Sequence, residues 1–250
     1  MNLAYCNVSI SPLRKENKDS SEMISQLLFG ETCEIIHKKK NWCFVKCSHD
    51  NYEGWLDEKQ ITELKSDLNI KHTAFELVHN YVLKENHIPI LIGSSLPNYD
   101  GLNFKIENKK YLFQGLSLEN NEANFDNIRK IALKYLHAPY LWGGRSPFGI
   151  DCSGLTQIVY KFLNKNLPRD AYQQAEIGDT IGFLEESKIG DLAYFGDLEK
   201  ITHVGIIIGK NQIIHASGKV RIDTLDHLGI YNNETSKYTH KLRIIKRIIH

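Results

Sequence analysis

No sign of charge predominates in this 250-residue sequence: 31 Lys and Arg face 30 Asp and Glu, a formal net charge of +1. Without a basic excess there is no electrostatic footprint for nucleic acid or for an anionic membrane surface. The short basic run Lys38-Lys39-Lys40 reads as a solvated turn. Long apolar runs are also missing, and none approaches the ~20 residues a membrane-spanning helix needs. The opening MNLAYCNVSI has no positive stretch followed by an apolar one, so no signal peptide is visible. Cysteine is scarce. Cys6, Cys33, Cys43, Cys47 and Cys152, an odd set at irregular spacing without a C-x-x-C pair, make a poor disulfide framework. Cys43 and Cys47 beside His37 and His49 invite a zinc reading, but Trp42, Phe44 and Val45 make that stretch alternate like a strand. Packing is the expected role of those cysteines, and neither a metal nor a cofactor is expected. Free thiols point to a reducing compartment. The expected location is the cytoplasm, or the periplasm or exterior if a leader has been removed.

What is present changes character along the chain. The first sixty or so residues hold short apolar stretches, at 25–29, 33–36, 42–47 and 54–56, broken by polar turns, the pattern of a small β-barrel. From about residue 73 to 117 the style repeats, with stretches at 89–93, 102–106 and 111–113, and a second barrel is expected there. Near Asn124 the period becomes helical: Phe125, Ile128, Ala132 and Leu136 recur, Asp126 suits the positive helix start, and Pro139 closes the segment. A glycine-rich loop, Trp142-Gly143-Gly144-Arg145-Ser146-Pro147-Phe148-Gly149-Ile150, then leads to Asp151-Cys152. Leu155, Ile158, Val159, Phe162 and Leu163 mark a second helix that ends before Pro168. Strands are expected at 191–195, 203–208, 212–216, 220–223 and 242–249. Two helices followed by a run of strands imply an α+β domain, with the helices on an antiparallel sheet. The resulting division is 1–64, 65–121 and 122–250.

Chemistry concentrates in the last of these. Cys152 sits where a loop becomes a helix, so unpaired backbone N–H groups and the helix dipole favour a thiolate there. A neighbouring histidine would lower the thiol pKa further, and a bell-shaped pH profile is expected if a thiolate–imidazolium pair is the active form. Buried filler would more naturally occupy a mid-helix apolar position than the start Asp151-Cys152-Ser153-Gly154. His203 opens the apolar strand Val204-Gly205-Ile206-Ile207-Ile208, where it can take the thiol proton. His215 follows on the next strand and can hold His203 by its second ring nitrogen. Any one of the eleven histidines would usually be structural. A cysteine at a helix start, a histidine on one strand and a polar residue on the next form a far more specific set.

The run Ala138-Pro139-Tyr140-Leu141-Trp142-Gly143-Gly144, then Gly149-Ile150-Asp151-Cys152-Ser153-Gly154-Leu155, resembles the NlpC-type (NlpC and p-sixty) cell-wall cysteine peptidases. Gly190-Asp191-Leu192, His203-Val204-Gly205 and Ile214-His215-Ala216 match that family's later motifs in order. The resemblance spans about residues 122–250. It implies a papain-like fold acting on peptides of bacterial peptidoglycan, with Cys152 as nucleophile, His203 as base and His215 as orienting residue. Tyr140 and the backbone N–H of Cys152 would stabilise the oxyanion, while Asp151 and Ser153 flank the nucleophile as further substrate-binding candidates. Ser21-Glu22, the run 25–31 and Tyr52-Glu53-Gly54-Trp55 resemble bacterial SH3-like domains. Two such domains before an NlpC-type domain resemble the dipeptidyl-peptidase VI group, which cleaves the γ-D-glutamyl–diamino acid bond. In that group an acidic residue and a tyrosine of the first SH3-like domain, with an aspartate after the catalytic helix, bind the free amine of the N-terminal L-alanine. Glu22, Tyr52 and Asp170 fit those positions. Relatives often carry serine after that aspartate, and here Ala171 stands instead. Each has a plainer alternative: a solvated loop for Glu22, packing on Trp55 for Tyr52, and capping of a helix at 171–174 for Asp170. Arg145 receives no role.

Two rival readings share these residues. Another papain-like amidase or acyltransferase would use the same nucleophile and base on a different amide. A non-catalytic wall-binding protein would rely on the SH3-like domains, but an inert domain has no need of both Cys152 and His203. The expected partners are therefore peptidoglycan-derived peptides, L-Ala-γ-D-Glu-diamino acid, with no nucleic acid and no membrane span.

Overall fold

The computed structural model describes residues 2–120 and 125–249. The expected boundary at 121–122, the change of character at Asn124, and the side chain of Asp126 lie outside the described residues. The chain divides into two compact units. One is Met1–Glu122 with Trp142–Pro147 and Lys161–Asn166, and the other is Ala123–Leu141 with Phe148–Tyr160 and Leu167–His250. No helix among the described residues is long and apolar enough to cross a membrane.

In the first unit a seven-stranded antiparallel sheet runs in the order Met23–Leu28, Ile10–Arg14, Glu53–Asp57, Trp42–Cys47, Thr32–Lys39, Leu3–Cys6, Ile61–Glu63. Alternation decides the inward face. Cys43, Val45 and Cys47 point into a core shared with Cys6, Leu13, Leu27, Cys33 and Leu56, so all four cysteines of this sheet act as small apolar fillers. On the other face His37 packs against Phe44 and Trp55, with ring centroids 5.1 Å away in both cases. Farther along, a four-stranded sheet (Asn86–Leu91, Val78–Leu83, Lys109–Phe113, Asn103–Ile106) and a three-stranded one (Ser95–Pro97, Ile70–Ala74, Ser117–Glu119) follow. Tyr81, Phe104, Tyr111 and Phe113 build an aromatic core that also takes in Tyr5 and Phe29. Phe104 and Tyr111 stack with centroids 4.8 Å apart.

The second unit is built on strands Leu192–Gly196, Ile201–Gly209, Gln212–Ser217, Lys219–Leu225, Gly229–Asn232 and Lys237–Arg247. Each pairs antiparallel with the next, and the last also pairs with the first, which closes a six-stranded barrel. Asp179–Ile181 adds a short strand on the outside of Lys237–Arg247. Ala193, Phe195, Ile207, Ile213, Leu225, Ile230 and Ile245 form its core cluster. Val204, Ile206 and Ile208, on the alternate face of their strand, are equally buried, so this strand is apolar on both sides. Helix α1 (Phe125–Lys134) ends in a turn where His137 takes a left-handed φ of 69°, just before Pro139. Helix α2 (Cys152–Lys161) has nine buried residues, 152–160, and stops where Asn164 adopts a φ of 55°. Helix α3 is the single turn Ala171–Gln174. The second unit thus combines helices with an antiparallel sheet, as the α+β expectation has it, and over the described residues sheet dominates over helix.

Candidate active site

Helix α2 starts on the residue that matters. Asp151 Oδ1 accepts the N–H of Gly154 at 2.7 Å, which caps the helix and fixes Cys152 in its first turn. Arg169 grips the same carboxylate with both arms, Nη1 to Oδ1 at 3.1 Å and Nη2 to Oδ2 at 2.5 Å, and donates to Ser153 Oγ at 2.8 Å. Asp151, Ser153 and Arg169 are all buried. The structure therefore places Asp151 and Ser153 in the brace beneath the nucleophile, turned towards Arg169. Gln174 ties the following segment to the same helix through Ser153 O and Pro168 O, and Thr156 donates to Gln174 Oε1 at 2.7 Å. Asp170 stands at the N-cap of α3, where its N–H donates to Gln173 Oε1 at 3.2 Å and its side chain is half-buried.

His203 lies near the start of the strand that passes Cys152, and the thiol has backbone hydrogen bonds with Val204 and Ser153. His203 Nε2 is 2.9 Å from His215 Nδ1, and His215 Nε2 is 3.1 Å from Asp223 Oδ2. Gly205 makes this possible. It stands opposite His215 in the ladder, and a Cβ there would come within 2.6 Å of Ile213 Cδ1 and 3.0 Å of His215 Cβ. Asp223 is held in turn by Arg221, Nε to Oδ2 at 2.6 Å and Nη2 to Oδ1 at 3.0 Å, and by the N–H of Asn233 at 3.2 Å. On its face His203 carries His240, stacked with centroids 4.1 Å apart and planes 24° from parallel.

Burial dominates the electrostatics of the site. Burial pushes the Cys152 thiol up to about 12, and the neighbouring Asp151 charge adds to the rise. His203 is lowered well below its ordinary value of 6.5 by burial and then by His215 and His240. The helix start and nearby N–H groups do favour a thiolate, but desolvation outweighs them, and the resting pair is thiol and neutral imidazole. The Tyr140 phenol, raised to about 12 by burial and then by the neighbouring Cys152 and Asp151, lies in the same electrostatic neighbourhood. Its backbone is fixed by an N–H bond to Gly218 O at 3.0 Å and a bridge to Ile150.

His203, His215 and His240 offer ring nitrogens within 4.8 Å of one another. Yet a metal must lie in the plane of each imidazole it binds. The stacked rings of His203 and His240 have nearly parallel planes, so their lone pairs do not converge on one ion. The trio is a stacked and hydrogen-bonded set.

Two of the expected residues belong to the first unit. Glu22 is exposed, accepts the indole N–H of Trp142 at 2.9 Å and pairs with Lys15 at 3.5 Å. Tyr52 is half-buried and packs against the core of the seven-stranded sheet. Arg145, given no role from sequence, forms a buried bidentate pair with Glu31 at 2.7 and 3.0 Å, and Lys161 joins it at 2.8 Å. Gly143, at φ 76°, passes so close to Met23 that a Cβ would meet its carbonyl oxygen at 2.5 Å.

Matches to known proteins fall on the same parts of the chain. The model of the NlpC/P60 family matches residues 137–242, and that described as the bacterial dipeptidyl-peptidase Sh3 domain matches 13–61. The chain is 29% identical over 233 residues to the gamma-D-glutamyl-L-lysine dipeptidyl-peptidase of Bacillus subtilis (strain 168), spanning 84% of this chain and 78% of that protein. It is 26% identical over 237 residues to dipeptidyl-peptidase 6 of Lysinibacillus sphaericus, spanning 82% and 85%. Among solved structures, an NlpC/P60 family protein from Bacillus cereus covers 98% of this chain and 99% of its own with a TM-score of 0.81 at 20% identity, a likeness of fold.

Proposed function

The chain belongs to the NlpC/P60 family of cysteine peptidases, and on that premise we propose that it hydrolyses the γ-D-glutamyl–diamino acid bond of peptidoglycan stem peptides that carry a free N-terminal L-alanine. The observation that carries the reading is Cys152 at a capped helix start, its thiol hydrogen-bonded to the backbone of Val204 next to His203, and His203 in turn 2.9 Å from His215. His203 takes the thiol proton as Sγ attacks the γ-carbonyl carbon of D-glutamate. The N–H of Cys152 and the phenol of Tyr140 stabilise the oxyanion. On collapse, the protonated His203 gives its proton to the departing α-amine of the diamino acid, and water then releases the dipeptide from the thioester.

The preference for a free amine rests on Asp170, a half-buried carboxylate immediately after the Arg169 brace. An ammonium leaving water needs a charged acceptor in exchange. The substrate roles of Glu22 and Tyr52 rest on the resemblance alone. Requirement for a free alanine suits the recycling of released fragments, whose sugar has been removed. The five free, buried thiols fit a reducing compartment such as the cytoplasm.

Mass spectrometry of L-Ala-γ-D-Glu-L-Lys incubated beside its N-acetylated form tests the reading. Expected are L-Ala-γ-D-Glu and lysine from the free peptide only, with acetylation costing roughly 3–5 kcal/mol, the scale of an unpaired buried charge. Equal cleavage of both would remove the amine preference, and cleavage at another bond would remove the proposed bond.

A further inference from the structure

We propose that Asp223 is a positioning residue of the peptidase site: it fixes the tautomer of His215 and, through it, leaves Nδ1 of His203 free to accept the Cys152 proton. Nothing in the sequence marks it. It lies within the strand Lys219–Leu225, beside the strand that carries His215, and its side chain is fully buried.

The argument is one of donors and acceptors. An ionised carboxylate only accepts hydrogen bonds. Arg221 supplies two donors and the Asn233 N–H a third, and together with His215 they keep Asp223 ionised below the usual carboxylate range. His215 Nε2, 3.1 Å away, must therefore carry its proton. A neutral His215 then has a bare Nδ1, and the nitrogen 2.9 Å from it, Nε2 of His203, must donate. A neutral His203 protonated on Nε2 has its lone pair on Nδ1. With the opposite tautomers, Nδ1 of His203 would present a proton where the reaction needs an acceptor. The triad is thus one end of a longer chain, Arg221–Asp223–His215–His203–Cys152, whose direction is set at the far end by a permanent cation.

This inference rests on the peptidase roles of Cys152 and His203, and its test needs no peptide substrate. Long-range nitrogen–proton correlation NMR on the 15N-labelled Cys152→Ala chain reads the tautomers directly: protons on Nε2 of both His203 and His215 are expected. A proton on Nδ1 of His215 would overturn the proposal, whatever any variant does. In Asp223→Asn the amide can turn its NH2 towards His215, which reverses both rings. Alkylation of Cys152 by iodoacetamide, located by peptide mass spectrometry, should slow by ~10²–10⁴-fold, as for other triads with a reversed tautomer. Asp223→Glu, which keeps an acceptor-only group, should recover most of that rate. For peptide turnover the loss should fall on kcat with KM little changed. An Asp223→Asn protein alkylated within about threefold of the unaltered chain would also overturn it. If the peptide assignment alone were wrong, turnover of that peptide would be absent while the Nε2 tautomers and the alkylation difference remained.

Discussion

At Cys152 and His203 the dominant force is desolvation. Both groups are disfavoured in their charged forms, so the site rests uncharged and creates its ion pair only during the reaction. The pH profile follows from that. Activity requires a neutral His203, whose proton affinity is depressed, so the acid limb of kcat/KM should lie below 6.5. A plateau should extend upward from there until the substrate's α-ammonium loses its proton at about 8, because the thiol does not ionise on its own until about 12. A steady rise between pH 7 and 10 would instead report a nucleophile that must first be deprotonated by solvent. His215→Asn should be milder than His215→Leu, because the amide can still accept from His203 Nε2. Equal kcat for the two would show that His215 does not orient the base. Cys152, His203 and His215 were legible because their motifs are local and carry their own chemistry. Asp223, His240 and Arg169 were not. Asp223 and His240 sit in polar-looking strand positions, and the ring stack exists only after barrel closure brings distant strands together.

Among the elements, α2 depends on groups far from it in sequence. Asp151 and Arg169 are a buried pair, and removal of one partner strands the other charge. Arg169→Met should therefore cost ~3–5 kcal/mol in urea unfolding and loosen the first turn of α2. A loss within the error of the measurement would mean that the Asp151 cap suffices alone. Arg145→Met should act similarly in the first unit, where it leaves Glu31 with Lys161 only. The main strands that carry the histidines were readable as apolar runs, and so were the helices. The short strands Asp179–Ile181 and Gly229–Asn232 were not. They have three and four residues: Asp179–Ile181 is a strand only through its pairing with residues 245–247, and Gly229–Asn232 because Lys237–Arg247 begins ahead of the apolar run seen in sequence and pairs with it through 237–241. The opening strands Leu3–Cys6 and Ile10–Arg14 escaped for a like reason: Pro12 and Arg14 obscure the alternation that buries Leu13.

For the whole molecule, the buried imidazoles tie stability to pH. A histidine with a lowered folded pKa binds its proton more readily when unfolded, so stability falls as pH drops below the unfolded value of 6.5. His203 acts in this sense, as does His240, which burial lowers to about 4. Glu31 and Asp223 add to the slope lower down, as pH falls through their depressed values. The urea midpoint should be lower at pH 5 than at pH 7, and His240→Phe should reduce that difference while preserving a ring on His203. A midpoint unchanged between the two would contradict the burial assigned to these rings. The central claim is chemical, however: Cys152 is acylated by the γ-glutamyl group. Acid quenching of the protein during turnover of L-Ala-γ-D-Glu-L-Lys, followed by peptide mass spectrometry, tests it most directly. The account predicts an L-Ala-γ-D-Glu adduct on the peptide that contains Cys152, and neither adduct nor turnover in Cys152→Ala. Turnover by Cys152→Ala, or an adduct on any other residue, would contradict it.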